Sequence, residues 1–157
     1  MIKEKYLGTY MKTARLFAEH SSAVRKKVGA VIVKDDRIIS IGYNGMPTGW
    51  DNMCEYVIDI SPSDPRYDFF NFSKELKTKP EVIHAESNAI AKLAKSTESG
   101  DGASMFVTCA PCIECAKMIY QAGIKEVFYE EKYKNDDGLN FLHKCGIKVK
   151  DIDIGDV

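Results

Sequence analysis

The stretch "SMFVTCAPCIECAKMIYQAGIKEVFYE" (104–130) carries the clearest indication of the fold class. Its apolar runs predict one strand over 104–108 and another over 124–130, with a helix over 111–123 between them. Pro111 at the start of the helix and Gly123 at its end are residue types that favour helix boundaries. A strand, a helix and a strand in this order predict a crossover connection between two parallel strands.

The segments on both sides extend this alternation of helices and strands. Two β-branched runs flank the polar turn "KDDR" (34–37), which predicts a hairpin. The further predicted elements are helices over 3–20, 84–95 and 135–146 and strands over 28–33, 37–45 and 147–152. We therefore expect the α/β class, as a three-layer α/β/α sandwich with a central mixed sheet of about five strands.

The segment 46–80 breaks the pattern, because it holds four of the five prolines and follows no clear periodicity. A loop of this length in a small domain is usually functional or disordered. Six aromatic residues make it too apolar for a flexible linker; they are Trp50, Tyr56, Tyr67, Phe69, Phe70 and Phe72. We expect it to fold irregularly over a subunit interface or the mouth of a pocket.

Composition narrows the class of protein. The 157 residues are 45% hydrophobic and 29% charged, which predicts one globular domain over 1–157. A net charge of −1 gives no general attraction to nucleic acids or anionic membranes. The charged start lacks the apolar core of a signal peptide, and the five cysteines are an odd number, which favours reduced thiols. We expect a cytoplasmic protein with no nucleic-acid or membrane partner.

Three cysteines lie close together in "TCAPCIEC" (108–115). Cys112 and Cys115 are three residues apart at the start of a helix, so both thiols project from one face. A helix N-terminus stabilises thiolate, the form that binds metal. A C-x-x-C pair by itself fits a zinc site, a redox pair or a chance occurrence, and all three stay open for this pair. Cys109 and Cys145 are expected to be structural thiols, whereas Cys54 has the context of an exposed loop thiol.

The stretch "HAES" (84–87) adds a third candidate zinc ligand and a carboxylate to the cysteine pair. His84, Cys112 and Cys115 give three zinc ligands, the number found in catalytic sites that leave a fourth position to water. Glu86 follows two residues after His84 and is available as a proton carrier. The arrangement H-x-E…P-C-x-x-C is that of zinc-dependent nucleobase deaminases, in which the metal activates water and the glutamate transfers protons. We therefore predict Zn²⁺ as the cofactor and Glu86 as the catalytic residue.

Longer stretches resemble the deoxycytidylate deaminase family of the cytidine deaminase superfamily. They are "VGAVIV" (28–33), "IGYNGMPTG" (41–49), "HAESNAI" (84–90), "PCIECAKMIYQAGIKEV" (111–127) and "EKYKNDDG" (131–138). The resemblance implies a single zinc-dependent deaminase domain with a cytidine deaminase-like fold that converts dCMP to dUMP and ammonia. It also implies a homo-oligomer, often a hexamer, that dCTP with Mg²⁺ activates and dTTP inhibits.

Carried over residue by residue, the resemblance also implies substrate contacts. Asn44 would hydrogen-bond the deoxyribose or phosphate end, and the backbone of Ala85 and Ala110 would bind the base edge. Tyr133 would pack on the nucleotide. Arg25, with two lysines after it, matches a basic position suited to phosphate. From the residues alone, Asn44 before a glycine also fits an ordinary turn residue.

An effector segment and a departure from the family complete the expectations. The residues implicated in effector binding are Gly42, Tyr43, Asn44, Gly45 and Gly49. Many relatives have a cysteine that helps to hold a second, structural zinc at the position of Ala23. Since the long loop offers only Cys54 and no histidine, we predict one zinc per subunit.

Two alternatives stay open at the level of sequence. The same chemistry could act on another cytosine nucleotide or on adenosine in RNA, although the charge balance disfavours RNA. The chain could also be a catalytically silent, zinc-stabilised partner subunit. Such a subunit has no use for the carboxylate of Glu86.

Overall fold

The computed structural model describes residues 2–68, 73–152 and 155. In this part of the chain it has four helices and seven strands. Their bounds are α1 Glu4–Ala18, β1 Gly29–Lys34, β2 Arg37–Tyr43, β3 Glu55–Asp59, β4 Lys74–Thr78, α2 Ala85–Leu93, β5 Ser104–Cys109, α3 Ile113–Gln121, β6 Glu126–Glu131, α4 Asp137–Lys144 and β7 Lys148–Asp151. No helix of the described residues has the length and apolar character needed to cross a membrane.

Five strands form the central sheet in the order β2-β1-β5-β6-β7. Strand β1 is antiparallel to both β2 and β5, whereas β5, β6 and β7 run parallel to one another. The mixed sheet predicted from the sequence is therefore confirmed. The quoted stretch 104–130 forms the β5-α3-β6 crossover at its centre.

Alternating side chains on the strands hold the three layers together. Ala30 and Ile32 of β1 belong to a core cluster with residues of α2, α3 and α4. Val31 and Val33 point the other way, into a cluster with Met11 of α1. This period of two, with both faces buried, gives the α/β/α sandwich that the sequence predicted.

The turn between β1 and β2 explains how the hairpin closes with only two residues. Asp35 and Asp36 have φ of 51° and 58°, so both lie in the left-handed region. Two-residue hairpin turns of this kind match the twist of the strands, and aspartate tolerates that conformation. The predicted hairpin is therefore confirmed at "KDDR".

The expectation of an irregular segment over 46–80 was wrong in part. Strands β3 and β4 pair antiparallel in a separate two-stranded sheet, from Glu55 opposite Thr78 to Asp59 opposite Lys74. The residues "YVI" (56–58) favour a strand, but the charged partner "KELKT" (74–78) has too weak a pattern to reveal one. Phe69, Phe70 and Phe72 lie outside the described residues.

Two glycines allow the site-bearing helices to lie close to their neighbours. A Cβ on Gly42 of β2 would lie 2.2 Å from the carbonyl oxygen of Ala85, at the start of α2. A Cβ on Gly138 of α4 would lie 2.0 Å from the carbonyl oxygen of Pro111, just before α3. These approaches fix the N-terminus of α2 against strand β2 and the residues just before α3 against helix α4.

Candidate metal centre and substrate cavity

The candidate metal centre lies where the N-termini of α2 and α3 meet. His84 directly precedes α2 and its carbonyl accepts the first helical hydrogen bond, from Asn88 N at 2.9 Å. Cys112 has the same place before α3, with Ala116 N at 2.9 Å, and Cys115 lies in the first turn of that helix. Both helix N-termini present positive dipole ends to the centre, which favours thiolate.

The distances between the three side chains fit a zinc ion. Nδ1 of His84 lies 3.6 Å from Sγ of Cys112 and 3.4 Å from Sγ of Cys115. All three candidate ligand atoms lie within 4.8 Å of one another. A tetrahedral site with usual zinc–sulfur and zinc–nitrogen bond lengths separates such atoms by about 3.5 Å. The residues present therefore suit zinc in both chemistry and spacing.

Hydrogen bonds among His84, Cys112 and Cys115 shift the pKa values of all three side chains. Hydrogen bonds, above all from the Cys115 thiol, lower the pKa of Cys112 to about 3. The pKa of Cys115 is raised, first because of its hydrogen bond to Cys112 and then because of burial. The hydrogen bond to Cys112 likewise raises the pKa of His84. Metal binding must therefore release protons, above all from Cys115.

Glu86 is buried beside these ligands, with only 4% of its surface exposed. Burial raises the pKa of its carboxyl from 4.5 to about 7, although the nearby His84 lowers it in part. A carboxyl with this pKa is available in both protonation states near neutral pH. That is the property required of a group that first accepts and then donates a proton.

A cavity of about 580 Å³ opens onto this cluster. Its volume falls in the range of small-molecule sites. The buried part of its wall includes Ala85, Glu86, Cys109 and Ala110. The exposed part carries five cationic side chains, which are Arg25, Lys26, Lys77, Lys132 and Lys134. The cavity therefore joins a buried acid–base group to a positively charged rim.

The structure brings the predicted substrate residues into this one cavity: Arg25, Asn44, Ala85, Ala110 and Tyr133 all line it. Asn44 has a structural task as well, since its Oδ1 accepts from Val28 N and its Nδ2 donates to Lys26 O, both at 2.8 Å. The N–H of Ala110 donates to Glu131 O at 2.8 Å, so its carbonyl is the group left for a ligand. Tyr133 is half-buried at the wall.

Of the three consecutive cations Arg25, Lys26 and Lys27, only the first two line the cavity. The Nζ of Lys26 also pairs with Glu131 at 2.7 Å. The expected third member, Lys27, instead donates to the carbonyl of Glu19 at 3.3 Å.

Sequence reasoning missed the contribution of the β3–β4 hairpin. Glu55, Lys77 and Thr78 line the cavity, and none belongs to a recognisable motif. The strand pattern of 55–59 was the one signal that could have placed them. Cys109 is buried as expected, but its position in the cavity wall was also missed.

The expectation for Cys54 was wrong, because its side chain is fully buried instead of exposed. It packs with Ala23 and Val82 in a small apolar cluster. In the described part of the chain, His84, Cys112 and Cys115 are the one group of three or more side chains arranged to hold a metal. The number of zinc ions per subunit stays a prediction.

The expected effector segment lies next to the metal centre. Gly42 is buried against α2, so packing explains its presence there. Gly45 exchanges two backbone hydrogen bonds with Ile83, at 3.1 and 2.9 Å, directly before His84. Gly49 has φ of 89° in an exposed turn. Effector binding by this segment, including Tyr43 and Asn44, stays a prediction.

Comparisons with known proteins agree with this geometry. Residues 5–131 match the family described as "Cytidine and deoxycytidylate deaminase zinc-binding region". Deoxycytidylate deaminase of Enterobacteria phage T4 is 38% identical over 168 aligned positions, covering 90% of this chain and 87% of the relative. ComE operon protein 2 of Bacillus subtilis is 34% identical, covering 94% and 71%. The crystal structure of dCMP deaminase from cyanophage S-TIM5 with dCMP and dUMP has a TM-score of 0.80 and 40% identity, covering 97% of this chain and all of that one.

Proposed function

The chain belongs to the cytidine and deoxycytidylate deaminase family, and we propose that it hydrolyses dCMP to dUMP and ammonia, which feeds thymidylate synthesis. One observation carries this proposal: the buried carboxyl of Glu86 lies beside a His/Cys/Cys cluster in a cavity with a cationic rim. The cluster and the carboxyl fit deamination, and the rim fits a nucleotide with a phosphate.

His84, Cys112 and Cys115 would hold the zinc ion, which supplies Lewis-acid activation of water. Glu86 accepts a proton from the water whose oxygen bonds to C4 of the cytosine. It passes that proton to N3, then accepts the second proton from the hydroxyl now bonded to C4 and delivers it to the amine, which leaves as ammonia when the C4–N bond breaks and the C4 carbonyl forms. A pKa of about 7 lets the carboxyl serve as base and then as acid at neutral pH.

The lining of the cavity supports a set of proposed substrate contacts. Ala85 is the first residue of α2, so its N–H is not used within the helix and can bind the base edge. The carbonyl of Ala110 offers an acceptor for the amino group. Tyr133 packs against the nucleotide, and Asn44 and Arg25 bind its sugar and phosphate end. Cations at the rim favour a nucleotide over the free nucleoside.

The experiment that tests this proposal is ammonia release by purified protein of measured zinc content. It compares dCMP, deoxycytidine, dCTP and an adenosine-containing RNA hairpin, each with and without dCTP and Mg²⁺ as effectors. We expect dCMP to be the preferred substrate. Preference for another cytosine nucleotide or for RNA would reject the substrate, and inactivity on all four with zinc bound would favour a silent partner subunit.

Regulation, assembly and location form the finer part of the proposal. By analogy with the family, dCTP with Mg²⁺ activates the enzyme, dTTP inhibits it, and it works in the cytoplasm as a homo-oligomer, expected to be a hexamer. Each subunit is expected to hold one zinc. Light scattering tests the assembly, metal analysis the zinc content and rate curves with each nucleotide the regulation, each separately from the chemistry. Rate curves that respond to neither nucleotide would reject the regulation.

A further inference from the structure

We propose that Glu55 and Thr78 of the β3–β4 hairpin are positioning residues that hold Arg25 at the cavity rim for the substrate phosphate. This inference rests on the proposed function, because it assigns a role to the rim of the same cavity. It concerns residues of the segment 46–80 that no sequence motif marks.

Glu55 fixes the backbone at Arg25. It is only 9% exposed, and its Oε1 accepts hydrogen bonds from Val24 N at 3.0 Å and from Arg25 N at 3.1 Å. A buried carboxylate that accepts two backbone N–H groups orders the segment that donates them. The segment between α1 and β1 is therefore tied to the start of β3.

Thr78 holds the guanidinium end of the Arg25 side chain. Its Oγ1 accepts a hydrogen bond of 3.0 Å from Nη1 of Arg25. Glu55 and Thr78 are directly opposite each other in the β3–β4 register. One cross-strand pair thus holds both the backbone and the guanidinium of Arg25. A guanidinium has five N–H donors, so several remain for a phosphate after the contact with Thr78.

The base of the hairpin is rigid enough for this task. Lys79 N donates to Cys54 O at 2.9 Å, directly beyond the Glu55–Thr78 pair. The side chain of Cys54 is fully buried against Ala23 and Val82. The apolar cluster therefore joins the hairpin to the segment that it orders.

The charge of Glu55 shows that it is a positioning residue and not a phosphate ligand. A carboxylate repels phosphate, and its Oε1 already accepts two backbone donors. What it contributes is acceptor geometry, which the amide oxygen of glutamine can reproduce without the charge. Glu55→Gln is therefore the conservative variant, and Glu55→Ala removes the contact.

The test measures kcat and KM for dCMP and for deoxycytidine in the zinc-loaded variants. For Glu55→Ala and for Thr78→Val we expect KM for dCMP to rise about tenfold with kcat within about twofold, because a misplaced cation loses much of a charge-assisted hydrogen bond. Values for deoxycytidine should not change, and Glu55→Gln should restore most of the affinity. Asp59→Ala removes an exposed acidic residue from the far end of β3 and is the matched control.

Measuring Glu55→Ala in the presence of Arg25→Ala tests whether Glu55 acts through Arg25. If Glu55 acts through Arg25, then Glu55→Ala adds little to the KM of Arg25→Ala, whereas independent effects would add. The positioning role would be overturned if KM rose equally for dCMP and deoxycytidine, or if the effects of Glu55→Ala and Arg25→Ala on KM were additive. Should Glu55→Ala fail to fold, Thr78→Val decides by the same criteria. If the wild type does not convert dCMP at all, the proposed function itself is rejected. If Arg25→Ala raises the KM for dCMP but Glu55→Ala and Thr78→Val do not, this inference alone is rejected.

Discussion

Replacement of Glu86 by glutamine should stabilise the zinc-free protein, and by an amount that depends on pH. The side chain is buried, and its pKa is raised from 4.5 to about 7 mainly because burial disfavours the charged form. The folded state therefore binds this proton more tightly than the unfolded chain does. Stability from this group is fully present below pH 4.5 and is lost as the pH rises through about 7.

The size of the effect follows from the two pKa values. A tenfold change in proton affinity is worth about 1.4 kcal/mol. Above pH 7 the wild type should therefore lose about 3 kcal/mol of unfolding free energy relative to acid conditions, and at pH 5 about 1 kcal/mol. Glutamine has nearly the same shape and never ionises, so Glu86→Gln should avoid this loss.

The assay is urea unfolding of the metal-free, reduced proteins at pH 5 and pH 8. We expect the gain of Glu86→Gln over the wild type to be larger at pH 8 than at pH 5 by about 2 kcal/mol. Glu114→Gln is the matched control, since Glu114 is an exposed carboxylate near the start of the other site helix. Parallel pH profiles for wild type and Glu86→Gln would show that burial does not raise the pKa of this carboxyl.

Three further predictions follow from the fold and the metal centre. Gly138→Ala should weaken zinc binding at least tenfold and lower the melting temperature, because the added Cβ would lie 2.0 Å from the carbonyl oxygen of Pro111; a chelator competition measures this, and unchanged affinity would contradict it. Cys115→Ser should leave the protein without stoichiometric zinc in metal analysis, whereas retained zinc would remove Cys115 from the ligand set. Phe106→Ala should lower the free energy of unfolding in urea by about 3–5 kcal/mol, because Phe106 is fully buried and its ring stacks on Phe128 with the ring centroids 4.6 Å apart. A loss below about 1 kcal/mol would contradict this prediction.

The central sheet could be predicted because its signals are local. The runs around "KDDR" and the stretch 104–130 carry periodicity, turn residues and helix boundaries within short windows. The metal cluster could also be predicted, because His84 and Cys112 each lie at the start of a recognisable helix. The family pattern then joined the two halves across the sequence.

The hairpin could not be predicted with the same certainty. Its strand β4 consists mostly of charged residues and is stabilised by its pairing with β3, which is a tertiary contact. The role of Glu55 depends on two hydrogen bonds that it accepts from the backbone of Val24 and Arg25, which precede it in the chain by 31 and 30 positions. Likewise, the burial of Cys54 depends on its packing against Ala23 and Val82. Contacts of this range have no local pattern in the sequence.

The role of Glu86 in deamination is tested most simply by the rate of dUMP formation from dCMP, measured for wild type and Glu86→Gln at known zinc content. We predict that both bind zinc equally and that the variant loses about 10²–10⁴-fold in kcat, since proton transfer is the step that the carboxyl serves. A Glu86→Gln variant with full zinc and full turnover would contradict the assignment of Glu86 and with it the proposed mechanism.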